Sequence, residues 1–87
     1  MRKFVSLYFK WLKLMNIEDI VGKWAYINGN QDIAYKIIRI HNVDSTLKAE
    51  LTANSGAPAY ELLTKLTFIT DAAKVHELET ERIHNGL

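Results

Sequence analysis

Apolar and polar residues alternate most regularly in residues 46–53, TLKAELTA, where leucine and alanine occupy every second position. A spacing of two predicts a β-strand with one buried and one solvent-facing side. Residues 32–41, DIAYKIIRIH, are apolar on both sides and predict a central strand that is covered twice. A second layer must then cover the other face of the sheet, and either an amino-terminal helix or a second copy of the chain could provide it.

Turn-forming residues separate these segments at short intervals. Asn28-Gly29 is the strongest signal for a tight hairpin, and residues 41–45 and 54–58 are rich in residues that favour turns. Residues 59–70 follow as one further predicted strand. The pattern therefore predicts an antiparallel β meander of five segments, if the last segment of the chain is counted as a strand.

The last segment, residues 71–84, fits two elements. A helix would begin at Asp71 and end at Asn85-Gly86. A strand would place Glu77, Glu79 and Glu81 on one face and would continue the series of antiparallel hairpins. The strand is the favoured interpretation here, and the helix stays open as the alternative.

The first 16 residues, MRKFVSLYFKWLKLMN, show helical spacing instead. Aromatic and aliphatic side chains fall on one face and basic side chains on the other, with no acidic residue among them. One interpretation places this helix over the domain's own sheet. Another places it on an anionic membrane surface or in a partner's groove. The residues that would form that surface are Phe4, Leu7, Tyr8, Lys10, Trp11 and Lys13.

Size and composition fit one small folded domain. The chain has 87 residues, of which 48% are hydrophobic, and it has no cysteine. The predicted fold class is mainly β with some helix (α+β): an amphipathic helix over residues 1–16, then a β domain over residues 17–87. The five segments would form a small or partial barrel. Neither a cleavable leader nor a transmembrane segment is recognised, which predicts a cytoplasmic protein.

Charge is unevenly distributed along the chain. Residues 1–48 carry eight basic and four acidic side chains, whereas residues 49–87 carry three basic and six acidic ones. A chain polarised in this way could pair with a copy of itself or with another protein. The overall charge of +1 argues against a nucleic-acid binder. Lys36 and Arg39 also lie three residues apart, on opposite faces of an ideal strand.

The stretch NIEDIVGKWAYI carries a family resemblance. Asp19, Gly22 and Trp24, followed by Tyr26, resemble the helical turn and Gly-x-Trp that open the first strand of the lipocalins and other calycins. In that family the tryptophan packs across the closed end of a β-barrel, beneath a basic residue from the last strand. The resemblance implies that Arg82, if residues 71–84 form the final strand, lies over Trp24 through a cation–π contact.

The same resemblance implies a small apolar ligand. Its cavity would lie near Trp24, Tyr26, Tyr35 and Phe68. Five strands are too few to leave much space inside a barrel, because side chains fill the interior of a barrel this small.

The sequence contains no recognisable motif of catalytic residues. The three histidines, His41, His76 and His84, show no metal-ligand spacing, and the serines lie in no nucleophile motif. We therefore expect no catalytic residue, no metal and no cofactor. The leading hypothesis is a non-catalytic domain that binds a protein partner or itself. Binding of an apolar ligand and association with a membrane surface are the alternatives.

Overall fold

The computed structural model describes residues 17–87 of the chain. The helix predicted over residues 1–16 lies outside this range. So do the residues of its predicted contact surface, namely Phe4, Leu7, Tyr8, Lys10, Trp11 and Lys13.

The described residues form one open antiparallel sheet, with one helix before its first strand and one helix after its last strand in the chain. The elements are α1 (Ile17–Ile20), β1 (Trp24–Ile27), β2 (Asn30–Val43), β3 (Thr46–Ala53), β4 (Pro58–Leu62), a 3₁₀ turn (Leu63–Lys65), β5 (Leu66–Phe68) and α2 (Ala72–His84). The strand order is β4-β3-β2-β1-β5, so the first four strands form the predicted meander and β5 returns to pair with β1. Because β4 and β5 are the two edges, the sheet does not close into a barrel.

Two tight turns connect the long strands. Asn28 and Gly29 both have positive φ angles, of 52° and 72°, and join β1 to β2 as the Asn-Gly pair predicts. Asp44 and Ser45 join β2 to β3 with φ angles of 51° and 63°. This second turn therefore uses a left-handed backbone at two residues that are not glycine, which costs conformational energy at Ser45 in particular.

A bulge in β2 changes which residues share a face. Register shifts by one residue between Ile37 and Arg39, so that Lys36 lies opposite Thr52 and Arg39 lies opposite Glu50. An extra residue reverses the alternation that follows it. Lys36 and Arg39 consequently point to the same side of the sheet, and their predicted placement on opposite faces is wrong.

Residues 59–70 do not form the single strand that their pattern predicts. The chain leaves β4 after Leu62, makes a 3₁₀ turn and starts β5 at Leu66. Leu63, at the start of that turn, is only 1% exposed and belongs to the core. Burial of this side chain is a reason for the break, because two adjacent leucines on a straight strand would point to opposite faces.

The main core lies on one face of the sheet, where α1 and the 3₁₀ turn fold over the strands. Its buried members come from six elements of the chain: Ile20, Ala25, Ile37, Ala49, Leu51, Leu63 and Leu66. Buried aliphatic side chains of this kind supply most of the folding free energy of a small domain.

Helix α2 covers part of the opposite face and is the second layer that β2 requires. The strand interpretation of residues 71–84 is therefore wrong, and the helical alternative is confirmed. Asp71 caps the helix by accepting a hydrogen bond from the backbone N–H of Ala73 at 3.0 Å, and Gly86 follows its end with a φ of 76°. The apolar stripe of α2 is thin, with Leu78 as its one buried residue, so polar contacts must contribute to its docking.

Candidate functional site

A cluster of Trp24, Lys36 and Glu79 joins α2 to the sheet. Trp24 opens β1 and Lys36 lies directly opposite it on β2. The indole Nε1 of Trp24 donates to Oε1 of Glu79 at 2.7 Å. The Nζ of Lys36 donates to both carboxylate oxygens, at 2.8 and 3.1 Å, and lies 5.9 Å from the centre of the Trp24 ring. Two side chains from neighbouring strands thus meet at one carboxylate of α2.

This environment lowers the pKa of Glu79. The hydrogen bond from Lys36 is the largest cause, and the Trp24 hydrogen bond and the charges of Lys36 and Arg82 act in the same direction, against the effect of burial. Both oxygens of Glu79 accept hydrogen bonds, while Trp24 is only 1% exposed. The cluster therefore suits the attachment of α2 to the sheet better than proton transfer to a substrate.

Arg82 does not occupy the position that the resemblance implies. It lies on α2, not on a strand, and the cation beside the Trp24 ring is Lys36. Arg82 acts on the cluster through its charge, which helps to lower the pKa of Glu79. Sequence reasoning missed Lys36 as a partner of Trp24. Its signal was a lysine flanked by the apolar Tyr35 and Ile37 in the central strand.

The four aromatic residues assigned to a ligand cavity lie on two different faces. Trp24 and Tyr26 belong to the side that α2 covers, where Tyr26 lines a cleft together with Leu78. Tyr35 and Phe68 lie opposite Ala25 in the neighbouring strands and pack against the main core. Tyr35 therefore lies on the face opposite Trp24, whereas Phe68, the last residue of the edge strand β5, also reaches the cleft beside α2.

Asn54 holds the carboxyl-terminal half of α2. Its Nδ2 donates to the backbone oxygen of Leu78 at 3.0 Å and to Oε1 of Glu81 at 2.6 Å. The side chain of Asn85 donates back to the main-chain oxygen of Asn54 at 2.8 Å. Since Leu78 O and the Glu81 carboxylate are both acceptors, the orientation of the Asn54 amide is determined by its partners.

A cleft of about 650 Å³ lies beside the first turns of α2, where the helix leaves β5. Its walls are mostly apolar and include two basic side chains, Lys23 and His76. The lining residues are Lys23, Phe68, Ile69, Thr70, Ala72, Val75, His76 and Glu79.

Beyond α2, the same face of the sheet carries a group of side chains that we call the open face: Arg39, His41, Lys48, Glu50 and Tyr60. The strand register places them side by side on β2, β3 and β4. His41 Nε2 lies 3.1 Å from Oε1 of Glu50, and its ring stacks on Tyr60 with centroids 5.5 Å apart and 26° between planes. Tyr60 is nonetheless 53% exposed. An aromatic ring is thus held in a defined orientation at the surface.

Two further findings concern the described residues. Within residues 17–87, histidine, aspartate and glutamate form no group of three or more that could hold a metal ion. No helix in this part of the chain has the length and apolar character needed to cross a membrane.

No protein-family model, curated protein or solved structure matches this chain. The lipocalin-like resemblance of Asp19, Gly22 and Trp24 therefore stays a prediction.

Proposed function

We propose that this chain is a non-catalytic interaction domain that associates with a second copy of itself through the open face. The observation that carries the proposal is the exposed Tyr60 ring, which stacks on His41, whose imidazole in turn contacts Glu50. Tyrosine and arginine are enriched at protein interfaces, where a rigid aromatic side chain loses little conformational entropy on binding. The open face supplies both residue types.

The sheet edge beside this face is a poor alternative contact. In β4, Pro58 has no backbone N–H, and the N–H of Leu62 donates to the side chain of Glu61 at 3.1 Å. Two of the five residues of β4 are thereby unable to donate to an added strand. This favours docking onto the face of the sheet over extension of the sheet at β4.

Charge complementarity supports a second copy as the partner. Glu50 contacts His41, and neither Arg39 nor Lys48 forms an ion pair with a carboxylate of residues 17–87, so the open face carries two basic side chains against one acidic side chain. Helix α2 carries the exposed residues Glu77 and Glu81, which border a cleft between the helix and the sheet. Contact between the open face of one copy and α2 of another would bring these opposite charges together. A two-fold arrangement would make this contact twice.

Sedimentation velocity over a series of protein concentrations tests the proposal. We expect a concentration-dependent rise in mass that Tyr60→Ala and Arg39→Glu both weaken by about tenfold or more in Kd. Glu77→Lys alone should weaken it as well, whereas the combination of Arg39→Glu with Glu77→Lys should recover part of the loss. Lys65→Glu is the matched control, because Lys65 is an exposed lysine on the 3₁₀ turn, outside the open face.

A folded protein that stays monomeric at every accessible concentration would overturn the proposal. Association that Tyr60→Ala and Arg39→Glu leave unchanged would also overturn it, since the contact would then lie elsewhere. Circular dichroism of each variant establishes that it is folded before its mass is compared.

A further inference from the structure

The cleft beside α2 lies apart from the open face and combines two kinds of lining. Phe68 and Ile69 from the β5 side and Ala72 and Val75 from the helix form its apolar part. At about 650 Å³, it falls within the range typical of small-molecule sites, which are concave, mostly apolar and carry a few oriented polar groups.

The basic side chains of the cleft are available to a ligand. Lys23 is exposed, and its ammonium group forms no ion pair with any carboxylate of residues 17–87. The imidazole of His76 is likewise exposed on the first turns of α2. These two side chains therefore offer hydrogen-bond donors beside an apolar surface.

Glu79 also lines the cleft, and its negative charge would repel a bound anion if it were not paired. Both of its oxygens accept hydrogen bonds from Lys36, and one accepts from Trp24 as well. The charge of Lys36 offsets that of Glu79 at short range. An anionic group placed beside Lys23 would thus meet a carboxylate that is already paired.

We propose that this cleft binds a small apolar molecule that bears one carboxylate, with the hydrocarbon part against Phe68, Ile69 and Val75 and the carboxylate beside Lys23 and His76. The proposal does not rest on self-association. Neutral apolar molecules would fill the cleft but would form no ion pair with Lys23, which gives the site its preference for an anion.

Isothermal titration of the full chain with decanoate and with neutral decanol tests the proposal. We expect saturable binding of decanoate, with decanol at least about tenfold weaker because it carries no negative charge to pair with Lys23. Lys23→Gln should weaken decanoate binding by about tenfold and change decanol binding much less. Lys65→Gln, which removes an exposed lysine outside the cleft, is the matched control and should change neither.

A second variant tests the apolar part. Ala72 is an exposed residue of the cleft wall, so Ala72→Phe should occupy the cleft without disturbing the core and should abolish binding of both probes. Equal affinity for decanoate and decanol, or decanoate binding that survives both Lys23→Gln and Ala72→Phe, would overturn the proposal. Absence of saturable decanoate binding to the folded wild-type chain would overturn it too. Tyr60→Ala should leave decanoate binding intact, so the test is independent of the self-association experiment.

Discussion

The indole nitrogen of Trp24 donates to the carboxylate of Glu79 at 2.7 Å, across 55 residues of sequence. Trp24 begins the first strand, and Glu79 lies in the middle of the last helix. Lys36 binds the same carboxylate from the strand next to Trp24. These hydrogen bonds compensate for the limited apolar surface of α2, because they satisfy the polar groups that the helix covers.

Removal of the carboxylate should therefore loosen α2. We expect Glu79→Ala to lower the free energy of unfolding by about 1–3 kcal/mol, since it leaves the Trp24 N–H and the Lys36 ammonium without their acceptor. Glu79→Gln keeps an acceptor for Trp24 and should cost less. Urea denaturation followed by circular dichroism measures both changes.

Glu77→Ala is the matched control for that series. Glu77 lies two residues earlier on the same helix, but it is exposed and its contact with Lys74 is long, at 3.8 Å. Its replacement should change the free energy of unfolding by no more than about 0.5 kcal/mol. Equal effects of Glu77→Ala and Glu79→Ala would contradict a specific role for the Trp24–Lys36–Glu79 cluster.

The lowered pKa of Glu79 predicts a dependence of stability on acid. When the pH falls below the ordinary pKa of a glutamate, Glu79 becomes protonated in the unfolded chain but stays ionised in the folded chain. The stabilising contribution is therefore complete above that range and is lost as the pH falls through the lower pKa of the folded state. Urea midpoints between about pH 6 and pH 3 should fall more steeply for the wild-type chain than for Glu79→Gln. Parallel curves for the two proteins would show that Glu79 contributes nothing to the acid response.

The turn between β2 and β3 offers a stabilising substitution. Ser45 has a φ of 63°, in the left-handed region that glycine occupies without steric cost. We expect Ser45→Gly to raise the free energy of unfolding by about 0.5–1 kcal/mol, because it produces the Asp-Gly pair that such two-residue turns prefer. Urea denaturation checks this value.

Gly29→Ala is the reverse experiment in the equivalent turn. Gly29 has a φ of 72° and no neighbouring atom within 4 Å of an added Cβ, so the substitution tests backbone strain alone. It should lower stability by about 1 kcal/mol. A stabilising Gly29→Ala together with a destabilising Ser45→Gly would contradict this description of the two turns.

Local patterns accounted for much of the sheet. The alternation in residues 46–53 corresponds to β3 residue for residue, and Asn28-Gly29 makes the turn that its composition indicates. Gly22-Lys23-Trp24 leads into β1, after a short helical turn at residues 17–20. These predictions depend on side-chain alternation and on allowed φ angles, which are properties of a few neighbouring residues.

Predictions that depended on distant contacts were less successful. The Asp71 cap and the Asn85-Gly86 end both indicated a helix for residues 71–84, yet the expected continuation of hairpins favoured a strand. The bulge after Ile37 and the break at Leu63 were also missed. Each arises because a side chain or a strand register must fit partners from elsewhere in the sheet.

Local backbone preferences and periodicity in the sequence specify the small β domain, most strand positions, the turn at Asn28-Gly29 and the caps of α2. Contacts between distant segments specify that β5 pairs with β1, that the sheet stays open, and that Lys36 rather than Arg82 meets Trp24. Such contacts also place Arg39 beside His41 and Tyr60 on the open face. These features depend on strand order, on one extra residue in β2 and on the direction in which α2 crosses the sheet. None of them is encoded in the spacing of neighbouring residues, since each results from the packing of segments that are far apart in the chain.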